Sequence, residues 1–232
     1  MEETYNLKAI VLSNRPFSED DSKVVIYSRE RGKLELAARG TKKIKSKLAG
    51  HLEPFNLVDI MAVCGRQYDY VGAAASRQCY ANLKSSLEKL IVAGQAIKDF
   101  SKLIKPGEAD EEIFNLLKDY LDVLNSKKDG FEIINSFFIF KLLVNLGHKP
   151  ELYNCVNCGS KITPAGIKFD LSRGGLICIK CPNKGTLTIS EDSVKLLRLA
   201  EKVSLQKIAK IKINKKEEVN IKNIVSSFLK YI

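Results

Sequence analysis

Four of the six cysteines fall into two C-x2-C pairs, Cys155-Val156-Asn157-Cys158 and Cys178-Ile179-Lys180-Cys181, with nineteen residues between them. Each pair lets one tight turn present two thiolates to a single ion, and the spacing is typical of tetrahedral zinc sites. Four thiolates fill the shell of a Zn2+ ion and leave no position for water or substrate. One structural zinc is therefore expected, contributing on the order of 10 kcal/mol to the folding of its segment. Residues 168–171, the turn Ser172-Arg173-Gly174-Gly175 and residues 176–178 read as a hairpin that brings the pairs together. Gly159 permits the positive φ such a knuckle needs, whereas Pro182 follows the second pair, so that knuckle must turn differently. Disulfides and redox-active pairs are the alternatives. A cytoplasmic chain argues against the first, and neither pair opens a helix after a buried strand, as the second requires. Cys64 and Cys79 lie outside the pattern at strand or strand-end positions and read as small buried side chains.

The second chemical feature is Arg39-Gly40-Thr41-Lys42-Lys43-Ile44-Lys45-Ser46-Lys47, in which Arg39, Lys42, Lys43, Lys45 and Lys47 are cations and no residue is an anion. A flexible loop of this kind is expected to meet phosphates. The alternative is a solvated loop of repelling lysines. Arg15, Lys33, Arg66 and Arg77 are candidates to extend the surface. Phe17, Tyr27, Phe55, Tyr68 and Tyr70 have rings that can stack on bases, although most are expected in the core. Glu19-Asp20-Asp21 is a poor magnesium site, because adjacent loop residues point in different directions and no second acidic cluster partners it. His51 and His148 have no serine or cysteine at a spacing that suggests a nucleophile and base, and no phosphate-binding glycine loop is present. No enzyme is expected.

The elements that must position these groups change character along the chain. Residues 7–12, 23–27, 33–37, 55–63 and 68–71 are short, β-branched or aromatic runs separated by turn signals. Five strands in the first 80 residues suggest a five-stranded OB-fold barrel, often a nucleic-acid platform. Helical periodicity then takes over. Leu83, Leu87, Leu90, Ile91, Ile97 and Phe100 make one stripe, and Ile113, Leu116, Leu117, Tyr120, Leu121 and Leu124 a second behind an acidic first turn. Residues 131–146 are apolar on nearly every side, which predicts a central helix ending at Gly147. Ser190 can cap a helix through Glu201, and residues 219–231 make a last one. The fold class expected is thus multi-domain α+β: an OB-fold domain at 1–80, a helical domain at 81–150 on which helices from 186–232 pack, and a zinc-binding element at 151–185.

The chain has 232 residues, 45% of them hydrophobic and 28% charged, as in ordinary folded proteins. Its net charge of +11 is uneven: +3 over residues 1–80, −1 over 81–148, +4 over 149–184 and +5 over 185–232. A neutral helical middle flanked by positive segments suits a polyanionic partner. The acidic start, Glu2-Glu3, does not read as a secretory signal, and residues 131–147 are interrupted by polar side chains, so the cytoplasm is the expected compartment and no membrane partner is expected.

Several strings resemble RecO, a family of bacterial recombination mediators: Lys8-Ala9-Ile10-Val11-Leu12, Glu19-Asp20-Asp21-Ser22-Lys23, Gly32-Lys33, Ala38-Arg39-Gly40, and above all Ser46-Lys47-Leu48-Ala49-Gly50-His51-Leu52-Glu53-Pro54-Phe55. With the cysteine quartet the likeness spans nearly the whole chain, fading after about Ser190. It implies an N-terminal OB-fold, a helical domain and a zinc element. It also implies binding of single- and double-stranded DNA, annealing of complementary strands, and work with RecR to load RecA on DNA covered by single-strand-binding protein, whose C-terminal tail the helical domain receives. The association with the nucleoid follows. A zinc-ribbon RNA-binding or transcription-associated factor, or a scaffold that binds only proteins, are the alternatives.

Overall fold

A computed structural model describes residues 3–163, 166–182 and 185–232. The chain divides into two compact units, Met1–Ser126 and Lys127–Ile232.

In the first unit, β1 (Thr4–Pro16), β2 (Ser22–Ser28), β3 (Gly32–Ala38), β4 (Leu57–Val63) and β5 (Tyr70–Gln78) close a barrel in the order β1-β2-β3-β5-β4. The barrel closes where β3 meets β5 in parallel, with Ala37 opposite Tyr70. The long β1 serves both halves: residues 4–10 pair with β4 and residues 9–16 with β2, with an irregularity between Val11 and Ser13 that lets the strand bend. Alternate residues such as Val24, Ile26, Leu36, Val58 and Ile60 fill the interior. The five-stranded OB barrel is as expected, but boundaries differ: β1 extends beyond the expected 7–12 at both ends. Phe55 has φ of 72°, so β4 begins only at Leu57. β5 runs on to Gln78 through Gly72-Ala73-Ala74-Ala75, poor strand formers that pairing with β4 holds extended.

The long string of the β3–β4 connection is structural. The Phe55 amide donates to Val11 O and the Val11 amide to Asn56 O, while the Asn56 side chain donates to Gly50 O and His51 O. His51 Nδ1 accepts from the Ser76 amide, which ties this connection to β5.

Three helices complete this unit: α1 (Ala81–Lys84), α2 (Leu87–Leu103) and α3 (Glu111–Ser126). Ser86 caps α2 through the Lys89 amide, and Asp110 caps the Ile113 amide of α3. Tyr27 is fully buried against Phe100 and Phe114, at ring separations of 5.1 and 6.5 Å. Gly32 is required here: its φ is 64°, and a Cβ would lie 2.1 Å from Glu108 O.

In the second unit, α4 (Phe131–Asn145) packs on α5 (Glu191–Lys202), α6 (Leu205–Ile208) and α7 (Lys215–Tyr231). The apolar 131–146 run is the buried central helix that its composition implied. Ser190 caps α5 as expected, and its hydroxyl also donates to the buried Glu217 carboxylate. Asn214 caps α7, which therefore starts four residues before the expected Val219. The helical segment 81–150 is thus shared between the two units. A small sheet, in the order β7 (Gly175–Ile177), β6 (Lys168–Asp170), β8 (Leu187–Thr188), joins this unit through Phe169, whose ring meets Phe228 of α7 at 5.6 Å. Among the described residues no helix is long and apolar enough to cross a membrane.

Candidate metal centre and nucleic-acid interface

The hairpin between the cysteine pairs forms as expected, with Lys168 opposite Ile177 and Asp170 opposite Gly175. The Asp170 carboxylate accepts from the Ser172 amide and hydroxyl and the Arg173 amide, which folds the turn. Gly159 adopts φ of 71°, and its amide donates to Cys155 O to close the first knuckle. The second knuckle closes through the Cys181 amide on Cys178 O.

The four sulfurs of Cys155, Cys158, Cys178 and Cys181 lie within 4.8 Å of one another. Cys155 Sγ is 3.8 Å from Cys181 Sγ, and Cys158 Sγ is 3.8 Å from Cys178 Sγ. A zinc–sulfur bond of about 2.3 Å sets the edge of a regular tetrahedron at about 3.8 Å, which two of the sulfur pairs match, so the donor set suits such an ion. Burial pushes the Cys155 thiol up, but hydrogen bonds from the amides of Cys178, Cys158 and Asn157 outweigh it and bring the thiol down to about 6. Asn157 favours the Cys181 thiolate, yet burial and the neighbouring Cys158, Cys178 and Cys155 push that thiol up to about 12. Crowded thiolates repel one another unless a cation sits among them.

Two side chains the sequence did not single out support these sulfurs. The Asn157 amide donates to Cys181 Sγ at 3.2 Å, and the Arg173 guanidinium donates to Asn157 Oδ1. Asn157 lies inside the first C-x2-C, and Arg173 in the hairpin turn; position between ligands was the available signal. Cys79 corrects one expectation. β5 ends at Gln78, and Tyr80 takes the buried position, which leaves Cys79 exposed; Cys64, just beyond β4, is only half-buried.

The cations of the basic loop are exposed, but the loop is tethered. Its Gly40 amide donates to Asp21 Oδ1 at 2.8 Å, its Lys42 amide to Asp20 O, and the buried Thr41 hydroxyl meets the Ser22 hydroxyl. Lys43 pairs with Asp20 at 3.2 Å, Lys42 Nζ donates to Ser18 O, and the Arg39 guanidinium lies 4.2 Å over the Tyr70 ring. Lys45 and Lys47 have no ion pair among the described residues. The expected flexible loop is therefore a series of turns fastened to the 17–21 connection, because Asp20 and Asp21 anchor it.

The flanking cations separate. Lys33 turns inward and donates to Ser101 O and Ile104 O, Arg77 pairs with Asp59, and Arg15 pairs with Glu35 at 2.6 Å. Arg66 is exposed in the β4–β5 connection. The aromatics separate too: Tyr27 and Phe55 are buried, whereas Phe17 and Tyr68 are 51% and 52% exposed.

Comparison with known proteins divides the chain into two matches. Residues 1–80 match the family model described as Recombination protein O N terminal, and residues 84–231 the one described as Recombination protein O C terminal. A protein of Desulforamulus reducens named DNA repair protein RecO is 28% identical over 98% of this chain and 89% of its own length. Its namesake in Rubrobacter xylanophilus is 32% identical over 76% of this chain and 71% of its own length, and that in Dehalococcoides mccartyi 30% identical over 91% and 83%.

Proposed function

The chain belongs to the RecO family of DNA repair proteins, and from that premise we propose that it is a non-enzymatic recombination mediator of the cytoplasm and nucleoid. It binds single- and double-stranded DNA, anneals complementary strands and, with RecR, helps load RecA on DNA covered by single-strand-binding protein, whose C-terminal tail docks on the helical domain. The observation that carries this reading is a basic loop standing out from an OB barrel, with five exposed cations and a shape fixed by Asp20 and Asp21.

Annealing requires two polyanions to approach. Arg39, Lys42, Lys43, Lys45 and Lys47 neutralise backbone phosphates, and the positive segments beyond residue 149 do the same for the second strand. Bases are left free to pair. Cys155, Cys158, Cys178 and Cys181 hold one Zn2+ ion, which supplies cross-linking of the two knuckles and no catalysis. The residues around it do the rest: Asn157 and Arg173 fix the sulfur of Cys181, and Phe169 anchors the hairpin on α7.

The test is annealing of complementary strands coated with the cognate single-strand-binding protein, across a salt titration, with the intact chain and a variant carrying alanine at all five loop cations. Acceleration that weakens with salt, and a binding slope shallower by about 3.5 in the variant at about 0.7 per phosphate contact, are expected. An unchanged slope removes the loop from the interface. No acceleration at any salt concentration refutes the annealing role and turns attention to RNA.

A further inference from the structure

Nine of the ten phenylalanines are buried, and Phe17 is the exception. It stands in the β1–β2 connection, and its ring meets Tyr68 of the β4–β5 connection edge-on, with centroids 6.3 Å apart and planes at 76°. Between them rises Lys23 of β2, its Nζ 4.5 Å from the Phe17 centroid and 4.4 Å from that of Tyr68. Lys23 is already paired with Glu35 at 2.9 Å, so it is not a free phosphate ligand. It pins both rings from one side by cation–π attraction while about half of each remains open to solvent. The Tyr68 loop is itself held: the Asp69 carboxylate accepts from the Gly65 amide at 3.3 Å and from the Tyr5 hydroxyl at 2.5 Å.

Two rings from two separate loops, held by a paired ammonium and left uncovered, are a poor device for stability and a suitable one for contact with a flat apolar ligand. The ground next to them is the basic loop. Lys42 and Lys43 are fastened to Ser18 and Asp20, one and three residues after Phe17, and Arg39 sits over Tyr70, two residues after Tyr68. We propose that Phe17 and Tyr68, set nearly perpendicular, form a platform on which an unpaired base of single-stranded DNA stacks on one ring and packs against the edge of the other, while its backbone phosphates run along the basic loop. This inference rests on the DNA-binding reading above and adds to it a source of strand preference. Bases inside a duplex are stacked on each other and offer no face, whereas a single strand can turn one base onto the rings. One engaged base leaves its neighbours free to pair.

The test compares the full chain with Phe17→Leu, Tyr68→Leu and the double variant, which keep apolar bulk and lose the rings. The probes are a labelled oligothymidylate of about 16 nucleotides and a duplex of the same length. The double variant is expected to bind the oligothymidylate about tenfold more weakly, with duplex affinity and the salt slope unchanged. Equal affinity for the oligothymidylate, or an equal loss on both probes, overturns the platform. The chain contains no tryptophan, so Tyr68→Trp provides an independent signal. Its fluorescence is expected to be quenched by the oligothymidylate and not by the duplex. Binding without quenching overturns the proposal even where the leucine variants fold poorly. Failure of the parent reading looks different: the intact chain would then bind neither probe at low salt.

Discussion

The carboxylates of Asp20 and Asp21 stand where a divalent cation would be sought in a nuclease, yet both are engaged by the chain itself. Asp21 receives the Gly40 amide and Asp20 holds Lys43. Because the Asp20–Lys43 pair is more than half exposed, its contribution to stability is small, but it competes with phosphate for the lysine. Asp20→Asn is therefore expected to tighten DNA binding slightly, read by anisotropy across a salt series, with the five loop contacts and hence the log–log slope unchanged. At the cysteines the expectation is sharper. Cys158→Ser removes one of four donors while leaving the knuckle glycine in place, and is expected to reduce bound zinc from one per chain to a substoichiometric amount, measured by elemental analysis after dialysis. Full retention of zinc would show that the quartet is not the ligand set.

At the scale of elements, lysines act as caps, and Lys89 donates to Asn125 O at the end of α3. Lys33 donates to Ser101 O and Ile104 O at the end of α2, and Lys141 donates to Ala200 O and Val203 O, at 2.7 and 2.8 Å, at the end of α5. Burial holds the Lys33 and Lys141 ammonium groups below the ordinary lysine range. Each satisfies carbonyls that a helix end leaves without intrahelical donors. Lys141→Met keeps the aliphatic stem and removes the donor, and is expected to destabilise the fold by about 1–3 kcal/mol in a denaturant titration, with zinc content unchanged. The β2–β3 turn depends in the same way on Gly32. Gly32→Ala places a methyl group against Glu108 O in a left-handed conformation and is expected to lower Tm by several degrees, at about 2–4 °C for each kcal/mol lost in a chain of this size.

Over the whole molecule, every described residue bonded to the four sulfurs belongs to the Lys127–Ile232 unit. Chelating the metal is therefore expected to lower the calorimetric transition of that unit and to leave that of Met1–Ser126 in place; an equal fall in both would refute a local role for the metal. Limited proteolysis would test whether the division at residues 80, 150 and 185 has physical boundaries.

The cysteine knuckles, the hairpin between them, the OB strands and the cap of α5 were legible in the sequence, because each depends on residues a few positions apart or on a strict period of two or 3.6. The length of β5, the exposure of Cys79, the anchoring of the basic loop by Asp20 and Asp21, and the separation of Phe17 and Tyr68 from the buried rings were not. These turn on pairings that no local period fixes: β5 lies along β4, the Gly40 amide meets Asp21, and Phe17 meets Tyr68 from a separate loop. Local pattern states which side chains are apolar or charged; which of them find a partner is decided only when the barrel closes.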